Sequence, residues 1–100
     1  MDTETATKYA GMLKALSDPF RLKILALLPD HADCELVLNV NDLIAKLGGS
    51  QPNMSHHLKV LKDAGIVVKK KMCSSVYFHK DKQTLLAVQK FVEALKKTAA

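Results

Sequence analysis

The sequence predicts a small, mostly helical α+β fold with its elements in the order α-α-(β)-α-α-β-β-α. Apolar residues recur at three- and four-residue spacing in segments that capping residues bound. A short helix, a Gly-Gly turn and a longer helix follow one another across residues 42–64. Two runs of β-branched and aromatic residues then flank a polar turn at 66–79. This order is typical of a winged helix-turn-helix, and residues 1–100 are long enough for one such domain.

The first two helices follow from their apolar stripes and their boundary residues. The first is expected at 3–16, with Tyr9 and Leu13 on one apolar stripe. Ser17 is the predicted cap of the second helix, and Pro19 suits its first turn. The second helix is apolar on more than one side, which predicts a core helix.

A short strand is expected at 36–40, and a short helix at 42–47 follows it. Asn41 or Asp42 is the predicted cap of that helix, because both side chains accept hydrogen bonds from free N–H groups. The Gly-Gly pair ends the helix, since glycine adopts the left-handed conformation at low cost.

The helix at about 50–64 is predicted to be a DNA recognition helix. Ser50 caps it, Gly65 ends it, and its exposed first two turns are rich in short polar side chains. Amide and hydroxyl groups bond to base edges in the major groove, and a lysine one turn on suits a backbone phosphate. The alternative is a capped surface helix that is merely polar. The predicted DNA contacts from this helix are Ser50, Gln51, Asn53, Ser55, His56 and Lys59.

The two adjacent histidines of this helix point about 100° apart. His57 follows Met54 by three residues, which places it on the inward side as a packed, hydrogen-bonded residue. His56 lies on the outward side, where DNA contact and simple exposure are the two interpretations.

The hairpin at about 66–79 carries three consecutive lysines. Because side chains alternate along a strand, Lys69 and Lys71 share one face and Lys70 lies opposite. Lys69 and Lys71 are the predicted DNA contacts of this wing, at the minor groove or its phosphates. The alternative is an edge strand that lysines protect from aggregation.

The net charge of +5 is unevenly distributed. Residues 51–82 carry seven lysines and two aspartates, whereas residues 1–50 carry five basic and seven acidic residues. A clustered basic face suits a polyanion, and a solvated lysine surface is the alternative. The longest apolar run, at 24–28, is too short to span a bilayer, so we expect a cytoplasmic protein with no membrane partner.

The last helix is expected at 80–97 and is amphipathic. Its apolar stripe needs a packing partner, which is either the first helix or the same helix of a second chain.

Two stretches resemble the ArsR-type family of metalloregulatory repressors. Residues 13–28, LKALSDPFRLKILALL, are similar to the family's second-helix region, and residues 50–67, SQPNMSHHLKVLKDAGIV, to its recognition helix and the turn into the wing. The resemblance implies a homodimer that binds an inverted-repeat operator and leaves it when an inducer binds. It implies that Gln51, Asn53, Ser55 and His56 face bases. It also implies a dimer interface from the first and last helices, with Tyr9, Leu13, Leu85, Val88, Val92 and Leu95 as its candidates.

The sensing site departs from the family pattern. Where metal-sensing members often carry two cysteines separated by one residue, this chain has Asn39 and Asn41, and an amide cannot replace a soft thiolate. The family's other common site uses Asp/His and His/Glu pairs on the last helix, which here offers only Asp81 and Glu93 as acids. No metal ligand is therefore predicted, and a metal-ion inducer is left open without an identifiable site.

Cys34 and Cys73 are weak candidates for sensing an oxidant or a thiophilic ion. His31 precedes Cys34 by three residues, which is a weak signal by itself. Inert thiols are the alternative, because two isolated cysteines lack ligand spacing.

The sequence also bears on two other classes of function, an enzyme and a protein-binding module. An enzyme is not expected, because the sequence has no Gly-rich phosphate loop and no HExxH, GxSxG or CxxC motif. A winged-helix module that binds proteins is the alternative to a DNA-binding one. Salt dependence separates the two, since contacts to phosphates weaken steeply with salt.

Overall fold

A computed structural model describes residues 1–31 and 38–97, which form five α-helices and one two-stranded antiparallel sheet. The order of the elements confirms the predicted α+β, mostly helical class. None of the helices in the described ranges combines the length and the apolar character needed to cross a bilayer. The elements are α1 (Thr3–Leu16), α2 (Pro19–Leu27), α3 (Val40–Leu47), α4 (Gln51–Asp63), β1 (Val67–Met72), β2 (Ser75–Lys80) and α5 (Lys82–Leu95).

The cap of α2 is Asp18, so the prediction of Ser17 is wrong by one residue. The Asp18 carboxylate accepts hydrogen bonds from the backbone N–H groups of Phe20 at 2.8 Å and Arg21 at 3.2 Å. The Ser17 hydroxyl instead donates to the Lys14 carbonyl at 2.7 Å and helps to end α1. A carboxylate at a helix N-terminus also interacts favourably with the helix dipole, which a hydroxyl does less well.

Helix α3 begins two residues earlier than predicted, because Asn39 caps it in place of Asn41 or Asp42. The Asn39 side chain accepts from the Asp42 N–H at 2.8 Å, and the Asp42 carboxylate accepts from the Asn39 N–H at 3.0 Å. This reciprocal pair is a capping box, which satisfies two N–H groups at once.

The strand predicted at 36–40 is therefore wrong at its C-terminal end, where Val40 is already helical. Leu38 forms one antiparallel bridge with Phe78 of β2, and its carbonyl accepts from the Phe78 N–H at 3.3 Å. Residues 36 and 37 lie outside the described residues.

Helix α4 lies at the centre of the core. Met54, Leu58 and Leu61 follow at spacings of four and three, so they share one buried face of α4. Burying each such side chain contributes about 1.5–3 kcal/mol, so a rotation that exposed this stripe would cost several times that. The core therefore determines which face of α4 points to solvent. The largest fully buried side chains of the described residues are Ile24, Leu43, Met54, Leu58, Leu61, Ile66 and Val67.

Helix α2 is a core helix on one side only. Ile24 and Leu25 are buried in the core, as the prediction of a core helix requires, whereas Leu22 and Leu27 are exposed in the single chain.

The hairpin has a two-residue turn. Ser75 pairs with Met72, which leaves only Cys73 and Ser74 in the loop. Both have positive φ angles, 51° and 65°, as the favoured two-residue hairpin turns require.

Helix α5 begins at Lys82, two residues later than predicted, because the Asp81 side chain caps it. It packs on α1 within the same chain, where the rings of Tyr9 and Phe91 stack with centroids 4.2 Å apart. One of the two partners predicted for this helix, the first helix, is thus observed.

Candidate nucleic-acid interface

The N-terminal half of α4 presents its polar side chains to solvent. The Ser50 hydroxyl accepts from the Asn53 N–H at 3.2 Å, which confirms Ser50 as the cap. Because the core holds the Met54 side of the helix, the opposite side chains cannot turn inward. The exposed residues on this half are Gln51, Pro52, Asn53, Ser55 and His56.

A groove of about 470 Å³ separates α4 from the hairpin. Ser55 and Lys59 line it from α4, and Lys69 lines it from β1. Val76 and Phe78 of β2 form part of an apolar floor. One concave surface therefore combines a hydroxyl group of the helix with lysines from both elements.

Lys62 is a fourth polar residue of this groove that the sequence prediction missed. It follows Lys59 by three residues and Ser55 by seven, so all three lie on one flank of α4. This helical spacing was the signal that would have identified it.

The strand register shows which wing lysines face the groove. Lys69 pairs with Phe78 and Lys71 with Val76, and directly paired residues project from the same face of a sheet. Lys69 and Lys71 therefore share the face that lies toward α4. Lys70 projects from the opposite face.

Lys59 forms an ion pair with Asp63, one turn further along α4. Its Nζ atom donates to the Asp63 carboxylate at 2.7 Å, and this hydrogen bond lowers the pKa of Asp63. Both side chains are exposed, and exposed pairs of this kind are weak. A phosphate oxygen can therefore replace the Asp63 carboxylate as the partner of Lys59.

His56 lies on the other flank of α4. It lines a cleft of about 730 Å³ between α1 and α4, together with Lys8 and Lys14 of α1. The structure thus brings Ser55, Lys59 and Lys69 together, but places His56 in a separate cleft.

His57 is half-buried, as its inward position predicted. Its Nδ1 atom lies 3.2 Å from Nη1 of Arg21, and its ring lies 5.1 Å from the ring of Phe20. Asp18 is close by, and a hydrogen bond from the Arg21 backbone N–H is the main cause that lowers the pKa of its carboxyl group.

The candidate dimer residues differ in how far the chain itself covers them. Tyr9 and Leu85 are half-buried and Leu13 is exposed. Along α5, the exposed fraction rises from 7% at Val88 to 44% at Val92 and 56% at Leu95. These three residues follow at spacings of four and three, so one apolar stripe leaves the core and continues onto the surface.

The described residues, 1–31 and 38–97, contain no group of three or more His, Cys, Asp and Glu side chains that could hold a metal ion. Asp81 caps α5, and Glu93 pairs with Lys96 at 3.8 Å. Cys73 is exposed at the tip of the hairpin. Cys34 lies outside the described residues.

The chain is similar to known transcriptional regulators. The family model described as "Bacterial regulatory protein, arsR family" matches residues 18–69. An uncharacterized HTH-type transcriptional regulator of Methanocaldococcus jannaschii is 43% identical over 68 residues, which are 68% of this chain and 72% of that protein. The arsenical resistance operon repressor of Staphylococcus xylosus is 43% identical over 60 residues, which are 60% of this chain but only 53% of the repressor.

Among solved structures, the ArsR-like transcriptional regulator from Rhodococcus sp. RHA1 has the same fold. It superposes with a TM-score of 0.83 at 23% identity, over 96% of this chain and 84% of that one. The matched proteins are transcriptional regulators and not enzymes, as the sequence predicted.

Proposed function

The chain belongs to the arsR family of bacterial regulatory proteins, and we propose that it is a homodimeric repressor that binds double-stranded DNA at an inverted-repeat operator. Residues 1–100 act as one DNA-binding domain, α4 is its recognition helix, and the β1–β2 hairpin is its wing. The repressor works in the cytoplasm and leaves the operator when an inducer binds.

One observation carries the proposal, namely the groove that α4 and the wing share. Ser55 and Lys59 of α4 and Lys69 of β1 line the same concave surface. Neutralising phosphates with such lysines releases condensed counterions, which supplies affinity for any DNA sequence. The exposed amides of Gln51 and Asn53 supply the selective part, since amides can bond bidentately to adenine.

The homodimer follows from symmetry and from the apolar stripe on α5. A two-fold axis places two copies of α4 about one turn of DNA apart, which matches an inverted-repeat site. Val92 and Leu95, together with Leu13 of α1, are apolar and exposed in the single chain, so they are the surface that pairing covers.

We assign no residues as metal ligands for the inducer step. Asn39 and Asn41 hold amides where thiolates would be needed, and the Asn39 side chain is occupied as the cap of α3.

Selection of bound duplexes from a random DNA pool tests this function. We expect enrichment of an inverted repeat, with binding that weakens by a log–log slope of about −0.9 for each phosphate contacted. No enriched sequence, together with little dependence on salt, would favour the protein-interaction module instead. Repeating the selection with candidate metal ions and oxidants tests release by an inducer.

A further inference from the structure

Arg21, in the first turn of α2, connects three helices through its side chain. Its Nε atom donates to the Ala15 carbonyl at 2.6 Å, and Nη2 donates to the Lys14 carbonyl at 3.4 Å. Both carbonyls lie in the last turn of α1, and the Lys14 carbonyl also accepts from the Ser17 N–H at 3.1 Å and from the Ser17 hydroxyl. Its Nη1 atom lies 3.2 Å from Nδ1 of His57, in the second turn of α4. Arg21 therefore ties the end of α1 to the DNA-facing half of α4.

As a hydrogen bond, this contact requires one protonation state of His57. A guanidinium group only donates and stays charged in proteins, so Nδ1 of His57 must be the acceptor. The ring is then neutral and carries its proton on Nε2. A second proton, on Nδ1, would remove the acceptor and place two cations 3.2 Å apart.

The groups that face His57 come from each helix around it. Arg21 and Asp18 face it from the start of α2. Lys14 lies at the end of α1, and its backbone carbonyl accepts from Arg21. His56 is its neighbour on α4, with ring centroids 5.5 Å apart. The Asp18 carboxylate accepts hydrogen bonds from two backbone N–H groups as the cap of α2. Arg21, and not Asp18, is the residue within hydrogen-bond distance of the His57 ring.

We infer that the Arg21–His57 hydrogen bond is a proton-linked contact that positions α4 for DNA. The bond exists only while His57 is neutral, so protonation releases α4 from its tie to α1 and α2. Met54 and Leu58 keep α4 in the core, so loss of this contact changes how firmly the turn that carries the groove-lining Ser55 is held. The inference rests on the proposed function, because operator affinity is its main readout.

Two substitutions of His57 separate the hydrogen bond from packing. In His57→Asn, the side-chain oxygen can occupy the place of Nδ1 and accept from Arg21, but it does not titrate. In His57→Leu, an apolar group remains against Phe20 and the acceptor is lost. At about pH 8, where histidine is neutral, we expect His57→Leu to weaken operator binding about tenfold and His57→Asn to weaken it much less.

The pH profile gives the more specific readout. Between about pH 8 and 5.5, where histidines titrate, we expect wild type to lose operator affinity relative to His57→Asn by about tenfold. Wild type and His57→Asn share His31, His56 and His79, so the ratio of the two affinities at each pH isolates the contribution of His57. His31→Asn is the matched control, since His31 is exposed beyond α2, and it should follow the wild-type profile.

A measurement without DNA keeps the inference separate from the proposed function. Nitrogen-15 NMR of the free wild-type protein should show the His57 ring as the Nε2–H tautomer at neutral pH. A proton on Nδ1 there, or a wild-type to His57→Asn ratio that stays flat with pH, would overturn the inference. If wild type binds no DNA at any pH, the proposed function fails, and a His57 proton on Nδ1 would still show separately that the contact does not form.

Discussion

Substituting Val92 by aspartate should break the proposed dimer while leaving the fold of each chain intact. Val92 is 44% exposed in the single chain, and it continues the stripe that begins at the buried Val88. Pairing of two chains would therefore complete the burial of a side chain that is only about half covered. An aspartate at this position meets water in the monomer but an apolar surface in the dimer.

The expected size of the effect follows from that exposure. Full burial of a valine contributes about 1.5–3 kcal/mol, so the uncovered part of Val92 contributes about 1 kcal/mol in each chain. Both chains of a two-fold dimer carry the substitution, so the free energy of association falls by about 2 kcal/mol. This corresponds to a rise of about 30-fold in the dimer dissociation constant. Desolvation of the two carboxylates adds to this loss.

Sedimentation velocity over a range of concentrations measures the change. Ala94→Asp is a matched control, because it adds the same charge about 200° further round α5, on an exposed position. We expect Val92→Asp to be monomeric and unable to hold a two-half-site operator, and Ala94→Asp to behave as wild type. Equal association of Val92→Asp, Ala94→Asp and wild type would refute the placement of the interface on α5.

Three further predictions concern DNA contacts and acid stability. Gln51→Ala should weaken operator binding more than non-specific binding, by about 1–3 kcal/mol, as measured by anisotropy titration. The control Gln89→Ala, on α5, should change neither kind of binding. Equal losses on operator and non-specific DNA would show that Gln51 does not read a base. Lys59→Ala should weaken both kinds of binding alike and reduce the salt slope by about 1, and a sequence-selective loss would contradict a phosphate contact. Hydrogen bonds from the start of α2 lower the pKa of Asp18, so its stabilising effect is present at neutral pH and is lost as the pH falls below about 4. Asp18→Asn should therefore make the melting temperature less dependent on pH in that range, and an unchanged acid profile would exclude this role.

Capping residues and apolar spacing predicted most of the helices, because the interactions behind these patterns act within one or two turns of a helix. The bounds of α1 and the cap of α4 at Ser50 match the structure. The caps of α2 and α3 were misplaced by one to three residues, because several neighbouring side chains were able to accept the same N–H groups. Competition between adjacent capping residues depends on the path of the preceding chain, which a local pattern does not contain.

Long-range contacts were beyond the sequence patterns. The bridge between Leu38 and Phe78 joins residues far apart in the chain, and it depends on how the core orients the hairpin. The inward position of His57 followed from helical spacing, but its partner Arg21 lies 36 residues earlier. Periodicity specifies which side of a helix is buried and does not specify which residue it meets.

In the proposed complex, α4 and the wing contact one duplex at the same time. Chemical-shift mapping by NMR, with the duplex enriched in the selection, tests it most directly. We expect the largest amide and side-chain shifts to occur together at Gln51, Asn53, Ser55 and Lys69, with small shifts on α5 away from the interface. Shifts confined to α5, or to α4 without the wing, would contradict it.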